Sequence, residues 1–293
     1  MKHLAAIGFG YTAAALARRV QATGWRVTGS KRTAAGADAA RRYVDDAFVL
    51  DDQTPAAQLA PTLAAVTHLL ISAAPGPGGD PVINRIAEAR DHLEGLKWIG
   101  YLSTVGVYGN HGGAWVDETT EPQPTSERGR RRLHAEAAWL DFGRHHAVKV
   151  QVFRLPGIYG PGRSVFDRLR TGTSRRIIKP GQVFNRMHVD DIAGALEQAM
   201  LAPDNTTPTF NLTDDLPGPP QDVIVYAAEL MGIDPPPEIA FESADMTAMA
   251  RSFYGENKRV SNARMKTELG FAPSYPTYKE GLMAIWRERT MQK

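Results

Sequence analysis

The stretch Leu4-Ala5-Ala6-Ile7-Gly8-Phe9-Gly10-Tyr11-Thr12-Ala13 decides the fold. A short apolar run breaks into a glycine-rich turn and opens directly into a segment with helical spacing of apolar residues (Ala14, Leu16, Ala17, Val20). The run reads as a buried strand and the segment as an amphipathic helix. Gly8 permits the tight strand-to-helix turn, and Gly10 lets backbone N–H groups come close to phosphate oxygens. Small Ala13 lets the helix pack on the strand, while the helix N-terminus adds partial positive charge. The segment therefore predicts a pyrophosphate site for a dinucleotide, walled by Gly8, Phe9, Gly10, Tyr11 and Thr12. A Gly-x-Gly-x-x-Ala string alone is weak; its place between strand and helix, with a second strand following, gives it weight.

That second strand is Trp25-Arg26-Val27-Thr28-Gly29. A site selective for NAD ends this strand with an acid that binds the ribose hydroxyls, about twenty residues past the first glycine. Here the place reads Ser30-Lys31-Arg32. A hydroxyl and two cations suit a ribose 2′-phosphate, since guanidinium binds phosphate as a bidentate fork. The expectation is NADP, with NAD second.

Alternating strand and helix patterns continue with Asp46–Leu50, a helix around 56–64, and the apolar run Thr67–Ser72. A loop, Ala73-Ala74-Pro75-Gly76-Pro77-Gly78-Gly79, follows. A helix near 81–93 leads to a strand over Trp98–Leu102, an Arg-rich helix from Ser126, and a strand over Val148–Leu155. This alternation predicts a doubly wound parallel α/β sheet, a Rossmann fold, with a small carboxyl-terminal substrate lobe. We assign 1–160 to the dinucleotide-binding part, with 187–212 returning to it through a helix over Val189–Met200 and a strand over Thr209–Leu212. The lobe takes 161–186 and 213–293, where Gly, Pro and Arg are frequent, and a last amphipathic helix spans Tyr278–Arg287.

The chain has 293 residues and a formal net charge of +2, so nothing in its balance calls for nucleic acid or a membrane surface. No apolar run is long enough to span a bilayer. With no cysteine there is no disulfide, thiolate nucleophile or cysteine-ligated metal. Met1-Lys2-His3 leads straight into the first strand, and the expectation is a cytoplasmic protein.

Further motifs are Leu102-Ser103-Thr104-Val105-Gly106-Val107-Tyr108-Gly109, Arg154-Leu155-Pro156-Gly157-Ile158-Tyr159-Gly160-Pro161-Gly162, His188-Val189-Asp190-Asp191-Ile192 and Tyr278-Lys279-Glu280-Gly281-Leu282. With the glycine turn, they resemble the extended branch of the short-chain dehydrogenase/reductase superfamily, the group of nucleotide-sugar epimerases and dehydratases. The resemblance covers most of the chain. It implies a reaction centre of Ser or Thr, Tyr and Lys, in which the Tyr exchanges a proton and the Lys holds the ribose. Thr104 falls at the Ser/Thr place. Arg128 stands where Tyr is expected and Arg132 where Lys is expected, so the chain is similar to an atypical subgroup lacking the usual Tyr-x-x-x-Lys pair. A guanidinium stays protonated, which makes Arg128 a poor acid or base but a good partner for an oxyanion, carboxylate or phosphate.

The resemblance also implies that Asp51 or Asp52 lies near the adenine, Ala73 and Ala74 near the ribose, Arg132 on the ribose, and Pro156-Gly157 near the nicotinamide amide. Tyr108 is the candidate for the missing acid, with Tyr159 beside it. His134 reads as a surface residue. His188 with Asp190 and Asp191 reads as a helix start whose aspartates cap N–H groups, and we assign no metal. Arg163, Arg168, Arg170, Arg175, Arg176, Lys179 and Arg186 concentrate charge that would suit an anionic small molecule such as a nucleotide sugar. Ala135, Ala137 and Ala138 would permit close helix pairing in a homodimer. Two functions stand: an NADP-dependent oxidoreductase or epimerase-like enzyme acting on a carbonyl or carbinol carbon, or a catalytically inactive NADP-binding sensor or scaffold.

Overall fold

In the computed structural model, which describes residues 1–202 and 204–291, the opening stretch forms β1 (His3–Ile7) and α1 (Tyr11–Gln21). The alternation continues through β2 (Arg26–Lys31), α2 (Ala34–Ala40), β3 (Asp46–Val49), α3 (Ala56–Leu63), β4 (His68–Ile71) and α4 (Ile83–Glu88). Next come β5 (Trp98–Thr104), the short β6 (Trp115–Val116), α5 (Glu127–His146) and β7 (Lys149–Leu155). The remainder holds β8 (Gly157–Tyr159), α6 (Val165–Arg170), β9 (Arg176–Ile178), β10 (Arg186–His188), α7 (Val189–Leu201) and β11 (Thr209–Asn211). It closes with α8 (Pro220–Met231), β12 (Glu238–Ala240), α9 (Ala248–Phe253), β13 (Arg259–Val260), α10 (Ala263–Thr267) and α11 (Tyr278–Met291).

Seven strands form one parallel sheet in the order β11-β7-β5-β4-β1-β2-β3. The chain winds outward from β1 to β3, then crosses to β4 on the other side of β1. The carboxyl ends of β1 and β4 therefore flank the topological switch point, where open α/β sheets bind ligands.

Alternation along each strand feeds two cores, as a sheet covered on both faces requires. Leu4 and Ala6 of β1 join Leu70, Phe153 and Leu16, Leu196 and Met265 on one face. Ala5 and Ile7 join Leu69, Ile71, Leu63, Trp139 and Phe142 on the other. Each fully buried Leu, Ile or Phe here contributes about 1.5–3 kcal/mol relative to exposure. A third core ties Val165, Phe166 and Leu169 of α6 to Ile224 and Ala227 of α8 and to Leu282 and Ile285 of α11.

Three differences from the sequence reading have physical causes. The helix expected near 81–93 is split into α4 and a single 3-10 turn at Arg90–His92. Met265 and Leu269, from the stretch assigned to the lobe, pack into the core of the main sheet. Ala135, expected on a free face, lies buried against the sheet beside Trp139, which leaves only Ala137 of that trio fully outward.

Candidate active site

The glycine turn is closely packed against the exit of β4. Gly8 has φ +81°, and a Cβ there would lie 2.8 Å from the backbone nitrogen of Ala73, at the exit of β4. Only glycine lets the two strand ends approach this closely. Gly10 precedes α1 in extended conformation, and no side chain caps the helix. The first-turn N–H groups of α1 thus face the switch point with the partial positive charge an anion needs. The sequence assigned Phe9 and Thr12 to the same wall. Both are buried, Phe9 against Gly29, so what they offer the cleft is main chain.

At the tip of β2 the structure divides the roles of Ser30, Lys31 and Arg32. Ser30 is buried, and its hydroxyl accepts a hydrogen bond from the Gly8 N–H at 2.9 Å. It braces the turn and is removed from the set that could meet a ribose phosphate. Lys31 is half-buried and Arg32 exposed at the strand end. On β3's exit Asp51 closes its own turn, accepting from Thr54 Oγ1 at 2.8 Å and from the Gln53 N–H at 3.0 Å. These bonds hold its carboxyl below the usual range. Asp52 is exposed, and its carbonyl accepts from Arg85 at 2.8 Å.

Thr104 ends β5, where its Oγ1 accepts from the Gly106 N–H at 3.1 Å. That bond fixes the oxygen and leaves the hydroxyl proton without an acceptor among the described residues. Beside it begins α5, started by the Ser126 hydroxyl, which accepts from the Gly129 N–H at 3.1 Å. Because α5 returns to the amino end of β7, its own first turn sits at the carboxyl edge of the sheet. Arg132 lies half-buried there, donating to the Leu102 carbonyl and to the Tyr101 hydroxyl. Arg128 is exposed, with its guanidinium 4.9 Å from the ring centre of Phe253. Pro156 and Gly157 follow Leu155, the β7 residue paired with Thr104, and the Gly157 N–H donates to the Asn185 carbonyl at 3.1 Å.

Tyr108 requires a correction. It is fully buried, and its hydroxyl donates to Asn211 Oδ1 at 2.8 Å while accepting from Arg154 Nη1 at 2.9 Å. Burial also raises its proton affinity above the ordinary tyrosine value. It is a structural hub and a poor proton donor. The same buried network continues through Arg154 to the Glu136 carboxylate at 2.7 Å, which in turn accepts from Ser103. Burial opposes the Arg154 charge, and Glu136 more than offsets it. None of Ser103, Glu136, Arg154 and Asn211 was given a role from the sequence, because four separate segments supply the network.

Tyr159, the second tyrosine candidate, donates to the Thr277 carbonyl at 3.4 Å and stands edge-on to His188. At the start of α7 the cap is His188 itself, whose Nδ1 accepts from the Asp190 N–H at 3.2 Å. Asp191 instead binds the N–H groups of Ser274 and Tyr275, at 2.7 and 2.9 Å, and so pins the chain before α11. The pooled cations of 163–186 also separate. Arg176 pairs with Glu238, Arg170 with Asp167, and Arg186 donates to the carbonyls of Phe184, Gly218 and Pro219. Lys179 donates to the Tyr254 carbonyl, and Arg163 lies over the Tyr11 ring. Arg168 and Arg175 stay exposed.

Comparison with known proteins settles the lineage. Residues 8–213 match the family model of the NAD dependent epimerase/dehydratase family. The chain belongs to this family. It is 30% identical over 288 residues to Protein YeeZ of Escherichia coli strain K12, covering 94% of this chain and 97% of the relative. A functionally unknown conserved protein of Silicibacter pomeroyi DSS shares 47% identity and superposes with a TM-score of 0.89, with 99% of each chain covered. The UDP-glucuronic acid 4-epimerase of Bacillus cereus, solved with UDP-glucuronic acid and NAD, is 18% identical. It superposes with a TM-score of 0.79 over 99% of this chain and 100% of its own, a likeness of fold. Among the described residues no helix is long and apolar enough to cross a membrane.

Proposed function

We propose that this protein is a cytoplasmic NADP-dependent oxidoreductase or epimerase-like enzyme acting on a carbonyl or carbinol carbon of an anionic small molecule, for which a nucleotide sugar is one candidate. The observation that carries the reading is the glycine turn: Gly8 at positive φ, pressed against Ala73, below the uncapped start of α1. A dinucleotide fits this turn, since no side chain competes for the helix N–H groups and the missing Cβ at Gly8 lets the Ala73 backbone close against it.

In this reading, Gly10, Tyr11 and Thr12 hold the pyrophosphate through their main chain. Lys31 and Arg32 take the 2′-phosphate, and the preference for NADP over NAD rests on them. Ala73, Ala74, Pro156 and Gly157 give close backbone approach along the ribose and amide. When bound, the nicotinamide supplies or accepts hydride. Thr104, its oxygen fixed by Gly106, points its proton at the substrate oxygen. Arg128 and Arg132 lower the cost of negative charge developing there, and water carries the proton that no side chain supplies. The test is NADPH consumption together with substrate conversion, which also reads a redox-neutral epimerisation, across a panel of carbonyl acids and sugar nucleotides. The account expects turnover in the wild type that Thr104→Ala reduces by about two to three powers of ten. A panel showing neither NADPH consumption nor conversion of any member contradicts it.

The commitment of the Tyr108 hydroxyl favours a second reading, in which the nucleotide site persists in a sensor or scaffold. It expects NADPH binding without turnover, and Thr104-dependent turnover would exclude it.

A further inference from the structure

Arg128 and Phe253 come from distant parts of the chain and meet at the mouth of the cleft. Neither position is left to chance. Thr125, just before α5, donates to Glu256 at 2.8 Å, and Lys258 donates to the Gly109 carbonyl at 2.6 Å and to Glu256 at 2.7 Å. Behind Phe253, Tyr254 is buried edge-on to Phe184 with ring centres 5.2 Å apart. The segment after α9 is thereby stitched to the loop before α5, and Phe253 is turned outward over α5's first turn.

Two features of this juncture ask for a ligand. The Arg128 guanidinium has no carboxylate within 4 Å among the described residues. Its neighbour Glu127 is taken by Arg130 and Arg131, and Glu256 by Thr125 and Lys258. The facing surface is apolar: Phe253 is 49% exposed, and Met249, one turn earlier on the same face of α9, is 64% exposed. A single exposed apolar side chain is ordinary. An apolar pair held opposite an unpaired guanidinium, beside Thr104's strand end, is not.

We infer that Arg128 and Phe253 form a clamp for a planar, conjugated carboxylate, aryl or enoyl, with the carboxylate on the guanidinium and the π-plane on the ring. This rests on reading the cleft as the dinucleotide-dependent centre proposed above, and it narrows the substrate class within that reading. The guanidinium fork matches a carboxylate edge-on, and its carbon lies 4.9 Å from the centre of the Phe253 ring. Aromatic rings favour offset stacking on a flat partner. A sugar ring would need several hydrogen-bond partners here, and Phe253 offers none and Met249 only a weakly accepting sulfur.

The experiment titrates the full chain calorimetrically with cinnamate, cinnamamide and UDP-glucose, each with and without NADPH, and titrates NADPH in parallel. Cinnamate is expected to bind about ten-fold more tightly than its uncharged amide. Arg128→Ala should abolish that difference. Phe253→Ala should weaken cinnamate about ten-fold, with Phe253→Tyr restoring it. Both positions are exposed, so unfolding temperatures should match the wild type and exclude misfolding as the cause. Equal binding of cinnamate and cinnamamide, affinities unmoved by either alanine variant, or binding of UDP-glucose but not cinnamate would each overturn the clamp. A flat NADPH titration would instead overturn the proposed function, a separate readout on the same samples.

Discussion

Removing the single oxygen of Tyr108 separates a structural tyrosine from a catalytic one. In Tyr108→Phe the ring still fills its buried site, but Asn211 Oδ1 and Arg154 Nη1 both lose the hydroxyl. Arg154 keeps Glu136, and Asn211 keeps its bond to the Ser261 carbonyl, so the damage is confined to those two contacts. A neutral hydrogen bond contributes about 1 kcal/mol and one to a charged group about 1.5–3, which gives a loss of roughly 2–4 kcal/mol. For a chain of this size that is a fall of roughly 5–15 °C in unfolding temperature. Thermal unfolding followed by circular dichroism reads it directly, and the affinity for NADPH should stay within about two-fold. An unchanged melting temperature combined with lost turnover would refute the reasoning, since it would make Tyr108 a proton donor after all.

Gly8→Ala should cost about 1–2 kcal/mol for a left-handed backbone and about 1–3 more for crowding Ala73. Nucleotide binding should drop at least about ten-fold, because the turn must shift, and a variant binding NADPH like the wild type would contradict the cradle. Asp214 is buried and its carboxyl is pushed up to about 8, with Arg186 pulling partly back. The folded state then holds this proton more tightly than the unfolded chain. Its stabilising contribution is present at low pH and is lost as pH rises from the ordinary carboxylate range through about 8. Asp214→Asn should flatten that decline in urea melts at about pH 5 and pH 9. Parallel pH curves for the two proteins would count against it.

The sheet was legible because its signals are local. Leu4–Ile7 and the run ending at Ile71 are apolar on both faces, as strands covered on both sides must be, and Gly8 marks the turn between strand and helix. The lobe was not legible for the opposite reason. Its strands are two or three residues long and find distant partners: β9 pairs with β12, and β13 with the equally short β6 of the dinucleotide-binding part. Nothing within three residues can encode such pairing. The tight glycine turn was legible, yet Ser30 turned inward to Gly8, and no spacing rule tells a bracing hydroxyl from a ligand-facing one. Tyr108 looked like a loop tyrosine because Val-Gly-Val-Tyr has no period, and its partners Arg154 and Asn211 lie on other strands. Arg128 was identified from its place at the start of α5; its counterpart Phe253 emerges only when α9 is folded against it.

The central claim is that the switch point grips a dinucleotide and that the tip of β2 receives a 2′-phosphate. Isothermal titration of the wild type and Arg32→Ala with NADPH and NADH tests it most directly. The account predicts that NADPH binds the wild type at least about ten-fold more tightly than NADH, and that Arg32→Ala brings the two together. Flat heats with both nucleotides, or equal affinities that Arg32→Ala leaves unmoved, would contradict it.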